Sequence, residues 1–471
     1  LASTKLASFL LIVVLARLVT PADFGALAAI LLYTEVLRLF GDLGMKATIV
    51  YEQEQGVTDR VQTAFTMNLL LAGLMTTAGV LMAPLVAGFF GLQEETGLFR
   101  VAALSILLTQ LGNVQDALLQ RGLKFRRRLV PEIARSVVRL AVSVPLAAVG
   151  LGAEALVFGL LAGTAAWTTT QWALSSFRPT LSFDPKVAAS MLSYGAGASI
   201  LSIVAILHNR IDVAVIGRVL GERALGLYTV AFRVPEALIE SVAWNTSAVA
   251  FPALSLKRTQ DRTGLLSVTL KLVRYQALYA LPVGAGLAVM GTPLMVTLFG
   301  RQWEDAGGVA SALAVLSAIG ATVFPLGDVF KAIGRQGTIA SINVAVMPIS
   351  VGVIIAVAPA GMVAVAWARV ALRSVVDAIV MLLVSRALET GPGPLLGAIG
   401  PGLIGAAGVV VGAGAVRLAM GGDTAFVLVT GLTAGALVGL VSMRLLVPAA
   451  FGDVVALVGS VVRRRPAASR R

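Results

Sequence analysis

The chain has 471 residues, 58% of them hydrophobic and only 13% charged, where a soluble protein carries about 25% charge. Apolar runs of roughly 18 to 28 residues recur along its whole length, each long enough to cross a bilayer, so this is a polytopic membrane protein. There is no Cys and a single His, which excludes disulfides, thiolate catalysis and a Cys/His metal site and leaves no cofactor to expect.

Fourteen hydrophobic segments follow one another, at 3–19, 24–45, 63–90, 99–119, 132–151, 153–174, 191–219, 224–250, 270–299, 307–330, 338–358, 361–384, 395–415 and 424–447. The first belongs to an internal repeat and no small-residue cleavage site follows it, so it reads as a span and not as a signal peptide. The even-numbered connections are mostly basic: "RGLKFRRR" after span 4, "SLKRTQDR" after span 8, "KAIGRQG" after span 10 and the tail "RRRPAASRR". The odd-numbered ones are short or acidic, such as "GLQEET" and "RQWEDAGG". By the positive-inside rule both termini are cytoplasmic, and the net charge of +13 is topological, with no nucleic-acid partner implied. No connection is long enough to hold a soluble catalytic domain, so a carrier is expected ahead of a membrane enzyme.

The stretch "LARLVTPADFGALAAILLYTEVLR" at 15–38 returns at 216–239 as "IGRVLGERALGLYTVAFRVPEALI", with Arg17 on Arg218, Gly25 on Gly226 and Glu35 on Glu236. Further on, "APLVAGFFG" resembles "TPLMVTLFG", and Asp116 falls on Asp328. The expectation is an all-α fold of two six-span bundles sharing one orientation, related by an axis along the membrane normal, with two spans appended. Its divisions are an N-lobe over 1–175, a cytoplasmic linker over 176–190, a C-lobe over 191–385, spans 13 and 14 within 386–448, and a basic tail over 449–471. The register also places the start of span 1 ahead of Leu1. Gly25 and Gly226 are expected at close helix packing near the outer turn, with Arg17 and Arg218 reaching headgroups.

An ionisable side chain at the bilayer centre costs roughly 2.5–3.5 kcal/mol, so such residues face the protein interior or a wet cavity. Span 2 carries Glu35, Arg38, Asp42 and Lys46 on one stripe, either an ion-pair ladder or a functional face. Span 7 carries "HNRID", with His208, Arg210 and Asp212 roughly 10–17 Å below its outer end; His208 is a candidate proton-coupling group. Span 8 places Arg233, Glu236 and Glu240 on one face around Pro235, which suits a shared proton, a cation or a buried network. Span 12 has Arg369, Arg373 and Asp377 one turn apart; one Asp cannot neutralise two Arg, and guanidinium forks suit phosphate oxygens. On span 4, Thr109, Asn113, Asp116 and Gln120 form a polar stripe, suited to sugar hydroxyls or to helix–helix bonding. Trp167, Trp172 and Trp303 read as interfacial anchors.

"ARLVTPADFGALA", "QRGLKF", "NRIDVAVIGRVLGERALGLYTVAFRVPE" and "FPALSLKR" together resemble the polysaccharide-transporter, or Wzx-type, flippases, of the superfamily that also holds MATE drug exporters and lipid II flippases. The resemblance implies a bacterial inner-membrane carrier with two lobes around a cavity. It would move undecaprenyl-pyrophosphate-linked oligosaccharides from the cytoplasmic to the periplasmic leaflet by rocking, alongside polysaccharide polymerase machinery. The family's Arg-Asp motif falls on Arg210 and Asp212 and its Leu-Gly motif on Leu220 and Gly221. Arg38, Arg210, Arg369 and Arg373 are the candidates for the pyrophosphate. Glu35, Asp42, Asp116, His208, Asp212, Arg233, Glu236, Glu240 and Asp377 are candidates for a cavity network or for H⁺ or Na⁺ coupling. A cation-coupled drug antiporter and a lipid II flippase are the alternatives within the superfamily.

Overall fold

A backbone in hydrocarbon has no water to bond with, so each N–H and C=O must be satisfied within the protein. The computed structural model meets this with helices: it describes residues 2–42, 57–122, 125–258 and 262–453, and no strand occurs among them. Helices α1 (Ala2–Leu18), α2 (Pro21–Asp42), α3 (Val57–Phe90), α4 (Thr96–Arg121), α5 (Phe125–Ala148) and α6 (Ala153–Leu174) precede the long α7 (Pro185–Pro235). A π-helical turn, Glu236–Glu240, leads into α8 (Ser241–Arg258). There follow α9 (Arg262–Val289), the short α10 (Gly291–Phe299), α11 (Gly307–Ala332), α12 (Gln336–Val357), α13 (Met362–Ala387), α14 (Gly393–Met420) and α15 (Ala425–Leu446).

Helix α7 is two spans. Gly221 breaks it with φ 84° and ψ 177°, a conformation open essentially to glycine alone, which reverses the chain without a loop. Counted at that break, with α8 continuing the outer arm of α7 through the π turn and α10 continuing α9, the elements reproduce the fourteen expected segments. Eight helices are apolar enough to cross a membrane on hydropathy alone. Helix α5 is not among them, because Glu132, Arg135 and Arg139 lie in its middle.

The described chain forms two compact units, Leu1–Val230 with Val351–Met362, and Ala231–Ser350 with Val363–Arg471. In the first, α2 packs on α3, α4 and α6, while α5 packs on α6 and α1. Phe65, Val114, Ala117 and Met191 close an apolar core there. The segment between α6 and α7 is bound along α3: Thr180 N donates to Gln62 Oε1 at 2.6 Å and Thr66 Oγ1 donates to Ser182 O at 2.9 Å. In the second unit α9 is the hub, touching α8, α11, α14 and α15. Leu254, Val273, Val329, Phe330, Val384 and Leu395 fill the core around it.

The duplicated motif meets its own copy. A Cβ built on Gly25 would stand 1.8 Å from Glu222 O, and one on Gly226 would stand 1.7 Å from Pro21 O. Pro21 and Glu222 are themselves 201 positions apart, like Gly25 and Gly226, so the contact is reciprocal and locally two-fold. Backbone lies against backbone, as small residues allow between membrane helices. The two copies make their outer turns differently. Thr20 and Asp23 bond each other at 2.6 Å as a capping box ahead of α2, whereas Gly221 makes the second turn through its backbone alone. Arg218 does not simply extend to headgroups; its guanidinium lies 5.7 Å from the centre of the Phe89 ring.

Because the obstructing atoms at Gly226 are backbone, a methyl group there forces the helices apart, a mismatch costing about 1–3 kcal/mol. Gly226→Ala should lower the midpoint of detergent-solubilised unfolding by that amount, while Gly73→Ala, with nothing within 4 Å of its Cβ position, should not.

Candidate functional site

The first unit holds the charges of spans 2 and 7. Glu35 pairs across helices with Arg210 Nε at 3.5 Å. Arg38, one turn on, is exposed. The side chains of Asp42 and His208, and the whole of Lys46, lie outside the described residues. The Arg-Asp motif divides its labour. Arg210 remains 45% exposed, whereas Asp212 is buried and accepts a 2.6 Å bond from Tyr228 Oη, tying the two arms of α7 together below Gly221.

Asp116 lies inside the bundle, 2% exposed. It receives Arg128 Nε at 2.7 Å and Nη2 at 3.0 Å, and Gln171 Nε2 at 3.2 Å. Along the polar stripe of α4, Thr109 bonds Ser105 O and Asn113 donates to Gln110 within the helix, while Thr109, Asn113 and Gln120 remain half-buried. Its counterpart Asp328 is likewise buried, accepting from Ser247 Oγ at 2.5 Å and Lys331 Nζ at 3.0 Å. The two acids matched by the repeat thus do similar work, each holding a cation close to the end of its helix.

Sequence reasoning missed the stripe along α5. Arg128, Glu132, Arg135, Arg139 and Ser143 follow at spacings of four, three, four and four, one helical face. The signal was obscured because the basic loop before them drew attention to topology. Trp167 is not an interfacial anchor: it is 3% exposed, and its Nε1 donates to Glu132 Oε1 at 3.0 Å. Trp303 is wholly buried, and Trp172 donates to Leu111 O at 2.9 Å. Packing between helices absorbs these rings because their N–H groups or neighbours satisfy them there.

In the second unit the expected stripe of span 8 is broken by the π turn, which follows Pro235 and closes with Ser241 N bonded to Glu236 O. The extra residue changes the facing of the turn. Arg233 pairs with Glu236 at 3.0 Å, while Glu240 turns to α11 and accepts from Ser317 Oγ at 3.0 Å. On α13, Arg373 Nε bonds Asp377 at 2.8 Å, and its guanidinium lies over Gly320 of α11, 3.3 Å from where a Cβ would stand. Glu240 is within electrostatic range of both Arg369 and Arg373, which supplies from another helix the anion that the Arg pair demands. Glu240 thus lies within electrostatic range of Glu236 on one side and of Arg373 and Arg369 on the other.

Helices alone among the described residues, eight of them long and apolar enough to cross a bilayer, define a multi-pass membrane protein. A family described as "Polysaccharide biosynthesis protein" matches residues 14–307, and the chain belongs to that family. It is 27% identical over 313 residues to the succinoglycan biosynthesis transport protein ExoT of Rhizobium meliloti, a match covering 66% of this chain and 63% of ExoT. The chain thus spans somewhat under two thirds of that relative. Its fold is that of lipid II flippase MurJ in an inward closed conformation (TM-score 0.77, 15% identity, 96% of this chain and 98% of the other). It is also similar to an inward-facing MATE multidrug transporter (TM-score 0.66, 16% identity, 82% and 94%).

A hydrogen bond to a charged group contributes about 1.5–3 kcal/mol, and Arg128, 35% exposed, stays partly solvated when its buried partner is lost. Asp116→Asn should therefore lower the stability of the purified protein by about that much in an unfolding titration. Acids also gather where the spans end: burial, then repulsion from Glu154, Glu222, Asp23 and Glu94, raises the Glu95 carboxyl above its usual range. Burial, then Asp23 and Glu94, does the same to Glu222. The folded state then holds more protons than the unfolded one, so stability falls as pH rises from the ordinary Glu range through the raised values. Glu222→Gln should raise the melting temperature at pH 7 and lose that gain near pH 4.

Proposed function

We propose that this protein is a flippase for lipid-linked oligosaccharides. It moves undecaprenyl-pyrophosphate-linked repeat units from the cytoplasmic to the periplasmic leaflet of a bacterial inner membrane, by alternating access between two six-helix bundles, with both termini cytoplasmic. One observation supports an anionic ligand above the rest. In two of the interhelical and intrahelical pairs the acid is the more buried partner and the cation the presented one: Arg210 is 45% exposed against 26% for Glu35, and Arg373 42% against 7% for Asp377. Guanidinium forks held by their acids yet open to solvent suit a diphosphate, which they bind bidentately. Family membership and a relative named for succinoglycan transport supply the polysaccharide context, in which the product passes to polymerisation machinery.

A cation-coupled drug antiporter is the second reading, favoured at Arg135–Glu132, where the acid is 41% exposed against 37%, and at Arg233–Glu236. Glu236 is 43% exposed, slightly more than its partner Arg233 at 37%. In the flippase reading Glu236 and Glu240, with His208, are the candidate H⁺ or Na⁺ groups.

The reading is checked in the native host by surface polysaccharide and protein level together. Arg210→Ala and Arg373→Ala should each abolish surface polysaccharide while the protein remains in the membrane. Normal polysaccharide from both variants, or a deletion strain changed only in sensitivity to cationic drugs, would sink it.

A further inference from the structure

We propose that Arg135, stacked on Trp167, joins Arg38 in a diphosphate-binding site among α2, α5 and α6 of the first unit. The inference rests on the flippase reading and adds residues to it. Arg135 stands ten residues into α5, about 15 Å along the helix at 1.5 Å per residue, and three residues into the apolar segment 132–151. Its guanidinium carbon lies 4.6 Å from the Trp167 ring centre, a stacking that orients the planar fork. The ring is itself fixed. Gly112 of α4 leaves the room it occupies, since a Cβ there would stand 2.5 Å from Trp167 Cζ3, and Glu132 accepts its N–H at 3.0 Å.

The same carboxylate serves Arg135 poorly. Glu132 Oε2 is 3.7 Å from Arg135 Nη1, beyond the 2.7–2.9 Å of a charge-assisted bond, which is about what a seated pair shows. Arg135 Nε is buried without a hydrogen-bond partner. The side chain is nonetheless 37% exposed at its end, so the fork has donors to spare. Arg38 on α2 is exposed and close enough to act on Arg135 as a like charge. Two cations brought together inside a membrane protein repel each other, and a ligand carrying two negative charges and several acceptor oxygens relieves that repulsion while filling the open donors. A neutral sugar would relieve none of it. Glu132 then acts as a competitor that the ligand must displace, and Trp167 as a positioning residue.

The test is binding of undecaprenyl pyrophosphate to the full chain in phosphatidylcholine nanodiscs, read as Kd by native mass spectrometry. Inorganic pyrophosphate and discs enriched in phosphatidylglycerol form the comparison arms. One lost charge-assisted interaction corresponds to about tenfold or more in Kd, so Arg135→Gln and Arg38→Gln should each weaken binding by that factor. Arg135→Lys, which keeps charge but not the stacked fork, should fall between. Glu132→Gln removes the competing charge while its amide oxygen still accepts the Trp167 N–H, and should tighten binding severalfold, a gain that misfolding cannot produce. Inorganic pyrophosphate showing the same dependence on Arg135 supports the site and identifies the diphosphate as what it reads. The site is overturned if Arg135→Gln and Glu132→Gln bind as the parent does while Arg373→Gln loses binding, an outcome that leaves the flippase reading standing. Binding that follows phosphatidylglycerol content and ignores the diphosphate also overturns it. A folded parent that binds no diphosphate in any arm defeats the flippase reading itself, and the site with it.

Discussion

At Gly25 and Gly226 two copies of one motif lie backbone against backbone, and much of the first unit follows from that contact. It sets α2 beside the outer arm of α7, with Gly221 turning the chain back onto its inner arm. Once the helices are so placed, Glu35 of α2 meets Arg210 of the inner arm, and Tyr228 of the outer arm meets Asp212. The glycines carry no chemistry of their own. They remove the side chains that would hold the helices apart, and in a membrane, where no hydrophobic drive pulls helices together, close packing of this kind is what holds them.

The second constraint is the cost of charge in hydrocarbon. The described acids deep in the helices are met by a cation or a hydroxyl: Asp116 by Arg128, Asp328 by Lys331 and Ser247, Glu240 by Ser317, Asp377 by Arg373. The pairing is unequal in exposure. Carboxylates sit inward, and the long cationic side chains extend from them towards open space, as their apolar stems permit. At Asp116, Asp328 and Asp377 the pairs present their positive ends. The stripe of α5 adds Arg128, Arg135 and Arg139 to the cations, and Glu132 to the acids.

The helices were legible because their signal is one-dimensional. A run of apolar residues long enough to span a bilayer has few other fates, and the fourteen runs gave helices whose ends fall up to eight residues from the expected ones, the polar turns at the ends being helical as well. The repeat was equally legible, since register survives in the letters. Partners were not. The spacing of Glu35, Arg38 and Asp42 suggests a ladder within α2, but Glu35 bonds a residue 175 positions away. The spacing of Arg233, Glu236 and Glu240 suggests one stripe, but a π turn divides it. Trp167 lies near a span end in the sequence and at the centre of a polar network in space.

By itself, then, the sequence determined that this is a helical membrane protein, how many times it crosses, which motif is duplicated and which residue types stand deep. Those follow from composition and from the period of a helix, which are local properties. Only the tertiary structure decided which charges neutralise each other, which remain presented, and that α5 contributes to the interior. A salt bridge depends on the distance between helices, and that distance is set by glycines and backbone contacts far along the chain from the charges themselves.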